Sequence, residues 1–545
     1  MEAKMRLAYY LVLLFVITIS ALCAQNQMDL MNTLYGEFEG DEFGAAMVSM
    51  DYNGDGYDDL IVVAKYWNAT GVLGYYYPGK LYFYWGGPNG LSNTPGFVIE
   101  GQSHQQFAPW MCNAGDMNGD GIEDLAITYS TDIVQQGTYK SIAIYLGRSN
   151  PQSTPDYVWT IPYTHVVPVY LGDVNGDEKS DLAFWGWHLS QRYSYFTYIW
   201  TDLESDPVLF LNSGVYTVPI YLGGVGDVNG DGFDDAYLAS PNNLSTFWSE
   251  LLFGNASMSL SDSLLLTQSF VDGFPLVSPL GDINSDGYAD FIGYTVWPNH
   301  YIWFGSTVLD SIPDLTLSLN SSDHDMHSFG RANDGYAVYG DLNGDGYDDF
   351  VCSDPRANDY NGQAGLWLGG TNVNATVDLV FNPPIDWQWR NFGHAKAVGD
   401  FDGDGFDDLA LSCPRWMDGG YHVPGRIYVF SGNAELEDTT VAIDDPIAPP
   451  VSIEDWSLNI YPNPYTSGSG NLNIELQGES FTKLGQYSYR LFNIRGQKIQ
   501  EGQISPEALS QRSFELGIGG LSPGIYQIAV LIAGESKSVK RFTIY

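Results

Sequence analysis

Positive charge is scarce in this chain. Lys and Arg number 22 against 66 Asp and Glu in 545 residues, a formal net charge of −44. Nucleic-acid binding needs basic patches and attraction to anionic lipid needs polybasic segments, so neither partner fits. Cysteine is also rare. Of four, Cys23 falls in an N-terminal apolar run, which leaves Cys112, Cys352 and Cys413. So sparse and odd a set is no disulfide framework, and the three read as buried thiols. Catalytic signatures are missing: there is no G-x-S-x-G, H-E-x-x-H or P-loop pattern. The eight His are scattered. HDMH at 324–327 reads as a solvated loop in preference to a transition-metal site. After the N-terminus no apolar run is long enough to span a membrane.

That N-terminus, MEAKMRLAYYLVLLFVITISALCAQNQ, has a basic start, an apolar run and then small residues. It reads as a secretory signal peptide over residues 1–24. Cys23 raises a lipoprotein alternative, against which Leu22 is a poor lipobox residue.

What is abundant is aspartate in short clusters. Residues 51–59 read DYNGDGYDD, and the pattern returns at 116–124 (DMNGDGIED), 173–181 (DVNGDEKSD), 227–235 (DVNGDGFDD), 282–290 (DINSDGYAD), 341–349 (DLNGDGYDD) and 400–408 (DFDGDGFDD). These seven loops hold 28 of the 66 acidic residues. Carboxylates so close repel one another unless a cation neutralises them. Calcium takes six to eight oxygens in flexible geometry. Positions one, three, five and nine would give side-chain oxygens, and position seven its carbonyl. The candidate metal ligands are Asp51, Asn53, Asp55, Tyr57 and Asp59; Asp116, Asn118, Asp120, Ile122 and Asp124; Asp173, Asn175, Asp177 and Asp181. They continue as Asp227, Asn229, Asp231, Phe233 and Asp235; Asp282, Asn284, Asp286, Tyr288 and Asp290; Asp341, Asn343, Asp345, Tyr347 and Asp349; Asp400, Asp402, Asp404, Phe406 and Asp408. Position six is glycine in six of the seven, as a sharp turn requires. An EF-hand would be longer and flanked by helices. Here each loop leads into a short apolar run such as DLIVVA or DLALS, which reads as a buried strand. Plain acidic turns are the bland alternative, and seven copies with one ligand spacing argue against it. Paired catalytic carboxylates need unlike environments, which seven near-copies do not offer.

The loops start 65, 57, 54, 55, 59 and 59 residues apart. Such a period marks a repeat array. Each unit reads as a strand, the acidic loop, a buried strand, a variable connection, a third strand such as GKLYFYWGG and a looser fourth such as FVIEG. Four antiparallel strands repeated seven times predict an all-β, seven-bladed β-propeller. The last blade needs an outer strand, for which DLMNTLY at 29–35 and TTVAI at 439–443 compete.

The residues resemble a known family. Phe43-Gly44, Phe329-Gly330 and Phe392-Gly393, the acidic loops, and DPR (354–356) or CPR (413–415) are similar to the FG-GAP repeat of integrin α subunits and many secreted bacterial propellers. The resemblance covers roughly residues 28–433 and implies calcium bound between the first two strands of each blade. The third loop departs from it, with Glu178 in the glycine slot beside Lys179, and is expected to bind weakly or not at all.

From about 434 the composition changes. Residues 434–455 are acidic and contain proline, as linkers do. Residues 456–545 read as a small Ig-like β-sandwich. Tyr461-Pro462-Asn463-Pro464, the run Phe492 to Gln497, Leu521 to Tyr526 and Lys540-Arg541-Phe542 resemble the C-terminal sorting domain of the type IX secretion system. That resemblance implies a Bacteroidetes-like bacterium, the type IX machinery as a partner, and a secreted or outer-membrane-surface location.

The acidic loops should lie on one end of the propeller and the variable connections on the other. The second end should collect Trp67, Tyr76, Trp187, Trp387, Trp389 and Trp416, rings of the kind that bind sugars or peptides. Their alternative place is between blades. Two classes of function follow. One is a calcium-stabilised propeller that binds an extracellular glycan or protein. The other is a carbohydrate-active enzyme, a polysaccharide lyase or glycosidase, on a propeller scaffold. A deep pocket with its own acid, base or Tyr/His/Arg set would mark the enzyme, and a shallow aromatic face the binder.

Overall fold

The computed structural model describes residues 28–436 and 457–544, apart from short segments of which the longest are 69–76, 131–139, 213–220, 267–275, 319–336, 384–390, 462–470 and 478–486. The chain divides into two compact units, residues 1–440 and 441–545.

In the first unit the apolar runs form seven four-stranded antiparallel sheets. The first strands of the sheets, in chain order, are Phe43–Met50, Met111–Gly115, His165–Gly172, Tyr221–Gly226, Leu276–Gly281, Val338–Gly340 and Lys396–Gly399. Each touches the first strand of the next sheet, and the seventh touches the first. The sheets are therefore blades of a β-propeller with their first strands around the centre. The second and third strands are buried on both faces because each blade packs between two others. Asp59–Ala64 and Asp408–Cys413 are buried at every residue. This explains why they read as continuous apolar runs instead of alternating ones.

The seventh blade takes its outer strand from the start of the chain. Asp29–Tyr35 pairs with Arg426–Ser431, with Leu34 opposite Ile427. Of the two candidates for this place, 29–35 fills it; residues 439–443 lie outside the described part. A hairpin that the sequence reading passed over, Trp416–Asp418 with Tyr421–Val423, is inserted between the second and third strands of this blade. Asp-Gly-Gly at 418–420 is its turn signal. Among the described residues no disulfide joins Cys112, Cys352 and Cys413, of which the last two are buried and Cys112 is half-buried.

The second unit packs a three-stranded sheet on a four-stranded one. Leu472, Ile474 and Leu516 from the first and Leu491, Ile528 and Val530 from the second share one buried core, as in a β-sandwich.

Closure by Asp29–Tyr35 rests on its inward side chains. Leu34 is buried in a core with Phe43 and Ile427, whereas Leu30 is 51% exposed. Leu34→Ala is expected to lower stability by about 2–5 kcal/mol. Leu30→Ala is expected to change it by less than about 0.5 kcal/mol. Denaturant unfolding of the two variants checks the pair.

Candidate metal centre

Each acidic loop is organised by its first aspartate. In loop one the Asp51 carboxylate accepts the N–H groups of Gly54 (2.8 Å), Asp55 (3.0 Å) and Gly56 (2.9 Å). Asp55 in turn accepts the N–H of Tyr57 at 3.1 Å. Loops two, four and seven repeat this set around Asp116, Asp227 and Asp400. The sixth residue sits in the left-handed region, with φ of 89° at Gly56. A Cβ at Gly56 would meet nothing within 4 Å, so the requirement is conformational and not one of space. Loop three shows the cost of ignoring it. Glu178 holds φ 66° there, at a penalty of about 1–2 kcal/mol. Its N–H still reaches Asp173 at 2.8 Å, so the first aspartate dictates the turn even without glycine.

The ninth aspartate is fully buried in all seven loops. In six loops it ties its own blade together. Asp124 accepts the N–H of Met117 (3.0 Å) at the loop and of Gly147 (2.9 Å) after the third strand. Asp235, Asp290, Asp349 and Asp408 make the same two kinds of bond. Asp59 bonds the N–H of Gly86 at 2.9 Å and, more loosely, that of Asn53 at 3.3 Å. Burial pushes these carboxyls up, Asp408 to about 8, against the N–H of Gly432, which lowers it, while Asp402 and Asp404 add repulsion. Asp59, Asp181, Asp290 and Asp349 are likewise pushed up to about 8, and Asp124 and Asp235 to about 7, burial being the largest cause in each.

Position three closes the ring of oxygens. In loop seven, which alone has aspartate there, carboxylate oxygens of Asp400, Asp402 and Asp408 lie within 4.8 Å of one another. In the other loops the asparagine amide is hydrogen-bonded to position five, as Asn118 to Asp120 (3.0 Å), or to position nine, as Asn175 to Asp181 (3.2 Å). Oxygen-only donors, mutually repelling and converging on one point, fit a hard divalent cation.

The seventh residue does more than the sequence suggested. Its side chain lies over the fourth residue of the preceding loop: Ile122 over Gly54, Phe233 over Gly176, Tyr288 over Gly230, Phe406 over Gly344 and Tyr57 over Gly403. This explains why the position is usually apolar inside so acidic a segment.

The expected ligand face divides differently. Trp67 is only 4% exposed and belongs to the core of the first blade. Its Nε1–H donates to Glu37 at 2.9 Å and Lys80 sits 4.7 Å from its ring. The expectation that it lies on an open surface is corrected: it packs where the closing segment meets the first blade. Trp187 stands in Asp181–His188 opposite His165, and Trp416 stands in the short hairpin. Their side chains, like Tyr76, Trp387, Trp389 and the HDMH segment, lie outside the described residues. Among the described residues at that end, Tyr66 and Tyr77 pair at 4.8 Å, with Lys65 at 5.2 Å from the Tyr66 ring. All three are half-buried.

A cavity of 570 Å³ runs along the centre, lined by first-strand residues such as Met47, Tyr170, Tyr339 and Lys396 and by the acids Asp58 and Glu123.

Known proteins agree with this architecture. Residues 51–127 match the FG-GAP-like repeat, residues 392–430 the FG-GAP repeat, and residues 459–545 the secretion system C-terminal sorting domain. Integrin alpha pat-2 of Caenorhabditis elegans is 30% identical over 130 residues, 23% of this chain and 10% of that protein. Integrin alpha-5 of Xenopus laevis is 29% identical over 163 residues, 28% of this chain and 14% of that protein. Phosphatidylinositol-glycan-specific phospholipase D of Rattus norvegicus is 34% identical over 106 residues, 18% of this chain and 12% of that protein. The chain thus spans only a small part of the curated relatives it matches. The sorting domain marks type IX export to the cell surface or the extracellular space, as in Bacteroidetes. The chain carries integrin-α-like FG-GAP repeats in a β-propeller and ends in a type IX secretion sorting domain.

Proposed function

We propose that this is an exported, calcium-binding propeller whose end opposite the acidic loops binds an extracellular glycan or protein. Residues 1–24 serve as the signal peptide, 28–433 as the binding unit, 434–455 as linker and 456–545 as the sorting domain. The observation that carries the calcium reading is the convergence of Asp400, Asp402 and Asp408 around one point in a loop built seven times. Calcium supplies charge neutralisation and joins the two ends of each hairpin. Asp51 and its equivalents hold the turn, and the ninth aspartate anchors it to the third strand. Loop three, with Glu178 and Lys179, is the weakest site.

The binding reading is supported by the half-buried Tyr66–Tyr77 pair with Lys65 beside it. Aromatic rings give contact area and a polar rim gives orientation. Two acids of the central cavity are engaged between blades. Asp58 accepts the N–H of Asp400 at 3.0 Å, and Glu123 accepts that of Asp51 at 3.2 Å. Carboxylates so engaged hold blades together and are poorly placed to serve a substrate.

Thermal unfolding of the exported chain with excess calcium and with chelator, alongside a metal count, tests the first half. About six or seven calcium ions should bind, and Asp400→Ala should remove one. Each site should add about 2.7 kcal/mol at a hundredfold excess over its Kd. No bound metal would refute the reading.

A pH series separates metal from mere turns. The ninth-position carboxyls are raised from 3.8 to about 7–8, so in chelator folding takes up protons across that window. The metal-free fold should therefore lose stability as pH rises from about 4 to about 8. Calcium binds the ionised form and should reverse that slope.

For the ligand, Tyr66→Ala and Tyr77→Ala should weaken capture of acidic and neutral glycans or matrix proteins on arrays about tenfold, without loss of calcium. Binding unchanged in both would move the ligand site elsewhere.

A further inference from the structure

The eighth residue of the acidic loop is not among the expected metal ligands. Its carboxylate instead crosses to the preceding blade. Asp234 accepts the N–H of Asp173 at 2.7 Å, Asp348 that of Asp282 at 2.7 Å, and Asp407 that of Asp341 at 2.8 Å. Asp58 takes that of Asp400 at 3.0 Å, which carries the pattern across the closure of the ring, and Glu123 takes that of Asp51 at 3.2 Å. Each acceptor thus holds the main chain of the first metal-facing aspartate of its neighbour. The return bond runs between main chains. The N–H groups of Asp234, Asp407 and Asp58 donate to the carbonyls of Asp173 (2.9 Å), Asp341 (3.0 Å) and Asp400 (3.1 Å).

The residue before each loop makes room for this arm. A Cβ on Gly172, Gly281, Gly340 or Gly399 would collide with the carboxylate of Asp234, Asp348, Asp407 or Asp58. Before loop one the chain has Met50 instead, and there the arm is the longer Glu123. Two junctions lack the arm. Ser180 stands beside loop two and Ala289 beside loop four, and only the main-chain bonds to Asp116 (2.9 Å) and Asp227 (3.0 Å) remain.

We propose that the eighth-position acids are positioning residues that couple calcium binding in each loop to the loop before it. The ring then binds calcium as two linked groups: loops five, six, seven, one and two, and loops three and four. The reason is geometric. The eighth residue lies between the seventh carbonyl and the ninth carboxylate, both assigned to the metal of their own loop. Filling that loop fixes the eighth residue, whose carboxylate and N–H then fix the first ligand of the preceding loop. At Ser180 and Ala289 the carboxylate is missing and only the main-chain bond remains, so the coupling is weakest there. The inference rests on the calcium reading above.

Crystals of the full chain at a series of limiting calcium chloride concentrations, with calcium occupancy followed loop by loop from its anomalous signal, test it. Asp348→Ala should raise the half-saturation concentrations of loops five and six together, by about five- to tenfold, because coupling acts equally on both sites, and leave loop three, in the other group, within about twofold. Ala289→Asp supplies an arm where none exists and should tighten loops four and five together by a similar factor. This second variant keeps the test open if the first fails to fold. Calcium bound with neither loop of the pair shifted, or with the variant's own loop shifted alone, would overturn the coupling and leave the calcium reading standing. No calcium in the unmodified chain would overturn both.

Discussion

The fold depends on a carboxylate gathering backbone N–H groups. The first aspartate of each loop takes two or three of them and so sets the turn, as Asp51 does with Gly54, Asp55 and Gly56 and Asp341 with Asp345 and Gly346. In six of the seven the ninth aspartate takes two more, from the loop and from beyond the third strand, and binds the blade across its width. Where the eighth residue is acidic, in five loops, it reaches the preceding blade. Three acids in one nine-residue stretch therefore act at three scales, within a turn, within a sheet and between sheets. Hydrogen bonds to charged groups are the stronger kind, about 1.5–3 kcal/mol net. Burying the ninth carboxylate costs against that gain, and its raised affinity for a proton measures the imbalance. A cation relieves the imbalance where a proton otherwise would.

Much of this was legible in the sequence, because the features concerned are local and repeated. Asx-type turns, buried strands and the period need only a few residues each to be seen. The same holds for the closing strand, whose apolar pattern matched the fourth strands. What was not legible depends on neighbours. The eighth acid was given no role, since nothing in one repeat says that its partner lies in the preceding one. The pairing of Met50 with Glu123, where four other junctions pair glycine with aspartate, was the available signal. Trp67 misled for a related reason. An aromatic next to a variable connection looks exposed until Glu37 and Lys80, far off in sequence, are seen to enclose it. The apolar seventh residue was read for its carbonyl, and its ring proved to cover the turn of the preceding blade.

The two ends of the propeller answer to different constraints. At the acidic end every loop has the same nine-residue length and nearly the same bonds, so little can vary without breaking the ring. At the other end the connections differ in length and composition, and Tyr66, Tyr77 and Lys65 stand among them. Invariance at one end lets the other end diversify.

The closing strand also sets an order of events. Leu34 and Ile427 pair although about 390 residues separate them in sequence. The outer strand thus waits for a partner made about 390 residues later. Until then the seventh blade has a bare edge, open to pairing with any extended chain. Loop closure over so long a contour is slow and late. The ring is therefore sealed at a single seam, between Asp29–Tyr35 and Arg426–Ser431, once both segments are available.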